Sequence, residues 1–165
     1  MAVIGIDPGT AITGYGIVEE ERDGSLKALA YGVVETLSDR EMPSRLLTLH
    51  DELSKILLLH QPDSAAVEKL FFQRNVRTAL TVGQARGVVL LALEERALQI
   101  GEYTPLEVKQ AVTGYGGADK RQVQQMVKTL LELDEIPKPD DAADALAIAI
   151  CHLYRTKYKQ MVDES

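Results

Sequence analysis

The sequence predicts an α/β fold built on a mixed five-stranded sheet with helices on both faces. Three strand-like segments joined by short turns come first, and helical and strand-like segments alternate after them. Strands joined by hairpins pair antiparallel, whereas strands separated by a helix pair parallel, so both kinds of pairing are expected. The chain has 165 residues and 45% hydrophobic residues, which fits one domain over residues 1–165.

The first elements are three strands and a helix. AVIGID is a short apolar strand, GYGIVEEE alternates between apolar and polar residues, and LKALAYGVVET follows a hairpin turn at Asp23 and Gly24. From Pro43 onward, leucine and isoleucine recur at helical spacing until HQPD ends the helix.

The later elements alternate. SAAVEKL is the predicted fourth strand, Asn75 to Gln99 a long helix, and IGEYTP the fifth strand. Two shorter helices are predicted, around Leu106 to Val112 and from Asp119 to Leu131, and the last helix begins near Asp140. The long helix is apolar on most sides, so its second face is covered either by a homodimer partner or by another helix of the same chain.

Apolar length and cysteine content predict a cytoplasmic protein. No uninterrupted apolar stretch reaches the roughly 18 residues of a membrane helix. The N-terminal MAVIGID lacks a basic region, so neither export nor membrane insertion is expected. The lone Cys151 lies in an apolar helical segment, and we interpret it as a packing residue in a reducing compartment.

The net charge of −7 conceals two basic stretches. Lys69 to Leu93 contains four cations and no acid, and Lys109 to Lys128 contains four cations and one acid. Nucleic-acid binding normally requires such a basic footprint. Solvated helix faces would explain the same pattern, so charge alone does not decide between the two interpretations.

Four acidic residues lie where predicted elements begin or end. Asp7 ends the first strand, Glu68 lies near the end of the fourth, and Asp141 and Asp144 share one face of the last helix. Each has an ordinary structural explanation, such as a strand end or a first-turn acid that suits the helix dipole. If the first and fourth strands are neighbours, however, all four converge.

Converging carboxylates favour hard divalent cations, because Mg²⁺ prefers oxygen ligands. Two such ions about 4 Å apart activate a water and stabilise the leaving oxygen during phosphoryl transfer. The pattern therefore predicts phosphodiester hydrolysis. The side chains of the alanines between the aspartates are small, so the helix and the strand ends can approach each other closely.

Five segments stand out along the chain: GIDPGT, VEKLF, LTVGQARGV, VKQAVTGYGGADKRQV and DAADALAIAI. Together they resemble the bacterial RuvC Holliday-junction resolvases, in order and at matching intervals over nearly the whole chain. The resemblance implies a ribonuclease-H-like fold of the retroviral-integrase superfamily. It also implies a homodimer and symmetric Mg²⁺-dependent nicking of two strands of a four-way DNA junction, in recombination and repair.

The resemblance further implies the metal ligands. Asp7, Glu68, Asp141 and Asp144 match the family's four catalytic acids, which hold two Mg²⁺ ions with Mn²⁺ as a substitute. Asp140 competes with Asp141 for one ligand position, and the family pattern D-A-A-D favours Asp141. The implied partner is the RuvA–RuvB branch-migration complex.

Residues beyond Glu68 are predicted to contact the DNA. Phe71 matches an aromatic residue of the family and would stack on a base near the junction centre. Phe72 is better explained as a buried residue. Arg74 and Arg77 would contact phosphates, with ordinary surface charge as the alternative.

A second group of predicted DNA contacts lies in the later basic stretch. Lys109 and Lys120 match basic contact positions of the family. Lys120 and Arg121 follow Asp119, the predicted helix cap, where the helix dipole disfavours cations. A phosphate bound at that helix N-terminus would relieve the conflict.

Three rival functions share parts of the pattern. The IDPGT strand end also begins the actin-like ATPase and sugar-kinase fold, but that fold needs two related domains. A non-catalytic junction-binding module would gain from losing acids that repel phosphate. A related nuclease acting on RNA fits less well, because GYGGADK and the aromatic after Glu68 favour the junction enzyme. No histidine is predicted to be catalytic. All three are interpreted as surface or packing residues, and His152 is the only one whose position in the last helix could bring it near the metal site.

Overall fold

The computed structural model describes residues 1–69 and 75–164. The strands are β1 (Ala2–Asp7), β2 (Ile12–Glu20), β3 (Leu26–Glu35), β4 (Ser64–Glu68) and β5 (Gln99–Tyr103). The helices are α1 (Met42–His60), α2 (Val76–Glu94), α3 (Pro105–Thr113), α4 (Lys120–Leu130) and α5 (Asp140–Asp163). The order of elements agrees with the prediction.

The long helix ends earlier than its sequence predicted. α2 stops at Glu94, and Gln99 already belongs to β5. Between them Ala97 adopts a left-handed backbone with φ of 54°, and no glycine or proline marks this turn. The fifth strand also ends before Pro105, which begins α3 behind the capping residue Thr104.

The sheet has five strands in the order β3-β2-β1-β4-β5. β1 and β2 pair antiparallel, as do β2 and β3, whereas β4 pairs parallel with both β1 and β5. The predicted mixed sheet is therefore confirmed. The predicted neighbourhood of the first and fourth strands is confirmed too, with Ile6 paired to Val67 in register.

Helices cover both faces of this sheet, as predicted. On one face Ile4 and Ile6 of β1 pack in a core with residues of α1 and α2. On the other face Val3 packs with α3, α4 and α5. The alternation along β1 follows from the two-residue period of a strand, which sends successive side chains to opposite faces.

α2 is long and apolar enough, by length and composition alone, to cross a membrane. Counting uninterrupted apolar residues did not reveal this. Core helices of folded domains pass the same test, and α2 buries Ala85, Val89, Ala92 and Leu93 in the core shared with α1 and the sheet. The side of α2 that carries these four residues is thus covered within the chain, while other apolar side chains of α2 are exposed.

α5 crosses the sheet where β1 and β2 carry glycines. A Cβ at Gly5 would overlap the backbone of Ala145, and a Cβ at Gly14 would overlap the backbone of Asp141. The absence of side chains lets the helix backbone lie directly on the strands. This contact, with the buried alanines of α5, places the start of α5 beside the end of β1.

Candidate active site

Three carboxylates meet at the end of β1. Asp7, Asp141 and Asp144 each provide one oxygen atom, and these atoms lie within 4.8 Å of one another. Asp7 is the last residue of β1, whereas Asp141 and Asp144 lie in the first turns of α5. All three residues are partly buried. Convergence of these predicted residues is therefore a feature of the structure.

Glu68 joins the group from the neighbouring strand. β4 runs parallel to β1, so its last residue emerges at the same edge of the sheet as Asp7. The carboxyl group of Asp7 hydrogen-bonds the side chain of Glu68. All four predicted acids thus lie together.

The cluster carries more negative charge than its surroundings stabilise. Burial, followed by repulsion from Glu68, Asp144 and Asp141, raises the pKa of Asp7 to about 8. Burial and then Asp144 raise the pKa of Glu68. Burial also raises the pKa of Asp144, although Lys120 opposes the shift. In each case burial is the main cause, and it makes the ionised carboxylate less favourable than it is in water.

These residues fit a hard divalent cation. The donor set consists of carboxylate oxygens, which Mg²⁺ and Mn²⁺ accept readily and which softer metals do not prefer. A divalent cation would also remove the repulsion that raises the pKa of Asp7. The four carboxylates predicted as ligands are therefore chemically consistent with Mg²⁺, the metal predicted from the sequence.

Lys120 supplies positive charge at the edge of the cluster. Its Nζ lies 3.4 Å from Oδ2 of Asp144 and 3.3 Å from Oδ2 of Asp140. Burial acts to lower the pKa of Lys120, but the attraction of Asp144 and the hydrogen bond with Asp140 outweigh it and leave the pKa raised. The ammonium group is therefore held between two carboxylates of α5.

Asp140 and Asp141 have different surroundings. Oδ1 of Asp140 accepts a hydrogen bond of 3.2 Å from Nε2 of Gln124, and its other oxygen contacts Lys120. Asp141, in contrast, contributes an oxygen to the carboxylate cluster with Asp7 and Asp144. Of the two candidates for the ligand position, Asp141 is the one that the fold directs toward the other acids.

A cavity of about 260 Å³ opens beside the carboxylates. Glu68, Asp144, Lys109 and Lys120 contribute its charged lining, and apolar residues of α3, α4 and α5 complete the walls. Two of the predicted DNA-contacting lysines therefore lie next to the acids. The cavity combines acidic groups for a metal with basic groups for a phosphate.

Arg121 points elsewhere. It lines a separate cavity of about 460 Å³ with Thr113, Tyr115 and Gln122, whereas Lys120 lines the cavity at the carboxylates. The predicted cap of this helix is confirmed, since Asp119 and Gln122 exchange hydrogen bonds in a capping box. The two cations at the start of α4 therefore serve different surfaces.

The remaining predicted DNA contacts come just before α2 in the sequence or in its first turn. Arg77 is exposed in the first turn of that helix, after the capping residue Asn75. Phe71, Phe72 and Arg74 lie outside the described residues.

His152 is a buried packing residue, as interpreted from the sequence, and it does not lie beside the carboxylates. It lies eight residues beyond Asp144 in α5, which is about 12 Å along a helix. Its Nδ1 lies 2.8 Å from the hydroxyl of Tyr103 and its Nε2 lies 3.1 Å from Oγ of Ser64. His152 instead joins α5 to β4 and β5 in the interior.

Arg86 and Gln124 are two residues near the site that sequence reasoning did not identify. Arg86 binds Glu102 through Nη2 at 2.6 Å and donates from Nε to the backbone carbonyl of Glu68 at 3.4 Å. It thereby holds the end of β4, where Glu68 lies. A lone arginine in the apolar part of α2 was the available signal. No sequence signal pointed to Gln124, which lies one turn after Lys120, because glutamine is common on the exposed faces of helices.

Comparison with known proteins points to one family. The family model of the crossover junction endodeoxyribonuclease RuvC matches residues 3–152. The crossover junction endodeoxyribonuclease RuvC of Caldicellulosiruptor saccharolyticus is 56% identical over 93% of this chain and 92% of that protein.

Two solved structures have closely similar folds. The Thermus thermophilus RuvC structure has a TM-score of 0.90 and 38% identity, covering 96% of this chain and 97% of that one. The structure of Thermus thermophilus RuvC in complex with a Holliday junction substrate has a TM-score of 0.88 and 35% identity, covering 96% of each chain. The sheet order and helical layers described above are therefore shared with these proteins.

Proposed function

The chain belongs to the RuvC family of crossover junction endodeoxyribonucleases, and from that premise we propose that it resolves four-way (Holliday) DNA junctions by symmetric phosphodiester hydrolysis. The family relationship and the similarity to a relative solved with a Holliday junction substrate support this substrate. The reaction belongs to homologous recombination and DNA repair.

One observation supports the chemistry above all others, namely the convergence of Asp7, Asp141 and Asp144 within 4.8 Å. With Glu68, these residues would hold Mg²⁺, two ions per site, and Mn²⁺ would substitute. When bound, the metal supplies Lewis acidity, which makes water a stronger nucleophile and stabilises charge on the leaving oxygen.

The chain's own residues bind and orient the DNA backbone. Lys109 and Lys120 line the cavity at the carboxylates, where their positive charge would attract the phosphate next to the cleaved bond. Glu68 is kept in place by the contact of Arg86 with its carbonyl oxygen.

DNA further from the cut would contact other residues. Arg121, which lines the separate cavity at the start of α4, and Arg77, at the start of α2, would bind phosphates away from the carboxylates. Arg74 would do the same, and Phe71 would stack on a base at the junction centre. These roles rest on the family resemblance and on the positive charge of the segments.

We also propose that the protein acts as a homodimer, because two symmetric cuts require two active sites. Val76, Leu80 and Leu91 of α2 are exposed, and their spacing puts them on one side of that helix. This exposed stripe is the proposed dimer surface. The RuvA–RuvB branch-migration complex is the proposed partner, and the cytoplasm is the proposed location.

The test is nicking of a synthetic four-way junction in Mg²⁺, comparing the native chain with Asp7→Asn and using linear duplex as control substrate. The native protein is expected to make paired symmetric cuts only in the junction, and Asp7→Asn is expected to bind the junction without cutting it. Junctions of several sequences that are bound but never cut, in Mg²⁺ or Mn²⁺, would contradict the proposal and favour a binding module.

A further inference from the structure

α4 and α5 face each other through two matched pairs of residues beside the carboxylate cluster. Lys120 and Gln124 lie one turn apart on α4, and Asp140 and Asp144 lie one turn apart on α5. Their contacts form a continuous series: Gln124 binds Asp140 at 3.2 Å, Asp140 binds Lys120 at 3.3 Å, and Lys120 binds Asp144 at 3.4 Å.

This series of contacts orients the side chain of Asp140. Gln124 is partly buried and donates to Oδ1, so Oδ2 is left to face the ammonium of Lys120. The side chains of Lys120 and Asp140 are 55% and 65% exposed, and exposed ion pairs add little to folding stability. The contact therefore matters mainly for where the ammonium group lies.

The position of Lys120 matters because it competes for Asp144. The carboxylate of Asp144 contacts Lys120 and also belongs to the group of oxygens that can hold a metal ion. A divalent cation repels an ammonium group at short range, so a bound metal would weaken the contact of Lys120 with Asp144. Asp140 offers a second carboxylate that already contacts the same Nζ.

We propose that Asp140, oriented by Gln124, is a positioning residue that retains the Lys120 ammonium at the edge of the site and so leaves Asp144 available to the metal ion. Lys120 then remains beside the cavity, where it can reach a phosphate, without remaining between Asp144 and the metal. The inference rests on the proposed metal-dependent nuclease function and assigns Asp140 a role other than that of a ligand.

The test measures Mn²⁺ binding without DNA, from the electron paramagnetic resonance signal of free Mn²⁺. Native protein, Asp140→Asn, Lys120→Met and the double variant form a double-mutant cycle. Asp140→Asn is expected to weaken Mn²⁺ binding by about threefold to tenfold in the native background and by less than about twofold in the Lys120→Met background, the coupling expected for residues in contact. Thermal unfolding of each variant checks that it is folded.

The double-mutant cycle distinguishes positioning of Lys120 by Asp140 from a direct effect of the negative charge of Asp140 on the metal. If Asp140 acted only as one more negative charge near the metal, its loss would weaken binding equally in both backgrounds, and that result would overturn the proposal. Unchanged or tighter Mn²⁺ binding by Asp140→Asn would overturn it as well. Failure of the native protein to bind Mn²⁺ would also overturn the proposal for Asp140. The proposed nuclease function would fail as well only if the native protein also did not cleave junctions.

Gln124 provides an independent check with a matched control. Gln124→Leu is expected to reproduce part of the loss of Mn²⁺ affinity, whereas Gln125→Leu is not, because Gln125 lies on an exposed side of α4 and lines the other cavity. In nicking assays, Asp140→Asn is expected to raise the Mg²⁺ concentration for half-maximal rate more than it lowers the rate at saturating Mg²⁺. Equal effects of the two glutamine variants would contradict the role of Gln124.

Discussion

Gly14 of β2 lies directly against the backbone of Asp141, the residue that adds the third carboxylate to the cluster at the end of β1. A Cβ at Gly14 would lie 2.5 Å from the carbonyl carbon of Asp141 and would overlap its oxygen. Backbone atoms cannot rotate away as a side chain can, so this glycine determines how closely α5 approaches the sheet.

Gly14→Ala is therefore expected to displace the start of α5 and to separate the carboxylates. A shift of about 1 Å in a catalytic group costs on the order of 100-fold in rate, and overpacking costs about 1–3 kcal/mol of unfolding free energy. Junction nicking and urea unfolding measure the two effects.

The control for this substitution is Gly32→Ala in β3. There a Cβ would meet the ring of Tyr15 at 3.1–3.3 Å, and a side chain can adjust where a backbone cannot. A nicking rate that falls equally in both variants would show that the contact between Gly14 and Asp141 is not what matters.

Removal of one carboxylate is expected to change how the protein responds to metal. Burial, and then repulsion from the neighbouring acids, raises the pKa of Asp7 and disfavours its ionised form. Asp7→Asn should therefore raise the melting temperature of the metal-free protein, by about 2–5 °C. Mg²⁺ at about 100 times its dissociation constant should add about 2.7 kcal/mol to the native chain and clearly less to Asp7→Asn.

Differential scanning calorimetry with EDTA and with Mg²⁺ makes this comparison. Asp63→Asn serves as a control carboxylate, since Asp63 binds the backbone N–H of Ala2 at the other end of the β1–β4 pair. An equal gain from Mg²⁺ in all three proteins would mean that the cluster does not bind the ion.

The sequence was sufficient to predict the sheet and the convergence of the four acids, because both follow from where the strands and helices begin and end. Asp7 and Glu68 mark strand ends, and the parallel pairing of β1 and β4 follows from the order of hairpins and helices. Long-range contacts were less predictable. The position of His152 depends on the hydroxyl groups of Ser64 and Tyr103, and no sequence pattern indicates that contact.

The different roles of the two cations at the start of α4 were equally hidden. Lys120 and Arg121 are adjacent in sequence, and a helix turns by about 100° between neighbours. Which of them faces the carboxylates depends on how α4 packs on α5, which a sequence pattern does not specify. The end of α2 was missed because the residues after Glu94 contain no helix-breaking glycine or proline.

Arg121 and Lys109 are expected to differ in their effects on binding and cleavage. Replacing either with glutamine should reduce the slope of log affinity against log salt by about 0.9 for each phosphate that the cation no longer neutralises. Lys109→Gln should also slow nicking of bound junction, because Lys109 lines the cavity at the carboxylates. Arg121→Gln should leave that rate much less affected.

Junction binding over a range of salt concentrations and single-turnover nicking provide the two measurements. Arg22→Gln is the control, because Arg22 lies among Glu19, Glu20, Glu21 and Asp23, where DNA would be repelled. A salt slope that changes as much in Arg22→Gln as in Arg121→Gln would contradict the assignment.

The proposed dimer surface on α2 can be tested by placing a charge within it. Leu80 is 64% exposed, and Leu80→Glu would bury an unpaired carboxylate if that surface is an interface. The dimer dissociation constant is then expected to rise roughly 30-fold or more, the equivalent of about 2 kcal/mol. Sedimentation velocity measures it, with Leu37→Glu, at 60% exposure, as a control. An unchanged dimer would place the interface elsewhere.

Two histidines are expected to give opposite dependences of stability on pH. Burial lowers the pKa of His152, so below its ordinary value of about 6.5 the unfolded chain binds a proton that the native state does not. Its contribution to the unfolding free energy is therefore present above that pH and is lost as the pH falls. The hydrogen bond that His50 donates to Glu95 raises the pKa of His50, so its contribution is present below about 6.5 and is lost as the pH rises.

Urea unfolding between about pH 5 and 8 separates the two contributions. His152→Gln should reduce the loss of stability on the acid side, relative to the native chain. His50→Gln should instead reduce the loss on the alkaline side, because it removes the contact of 3.0 Å between Nε2 and Glu95. Each variant is the control for the other, since both remove one histidine. Parallel pH profiles for the two variants would contradict the opposite pKa shifts that burial gives His152 and that Glu95 gives His50.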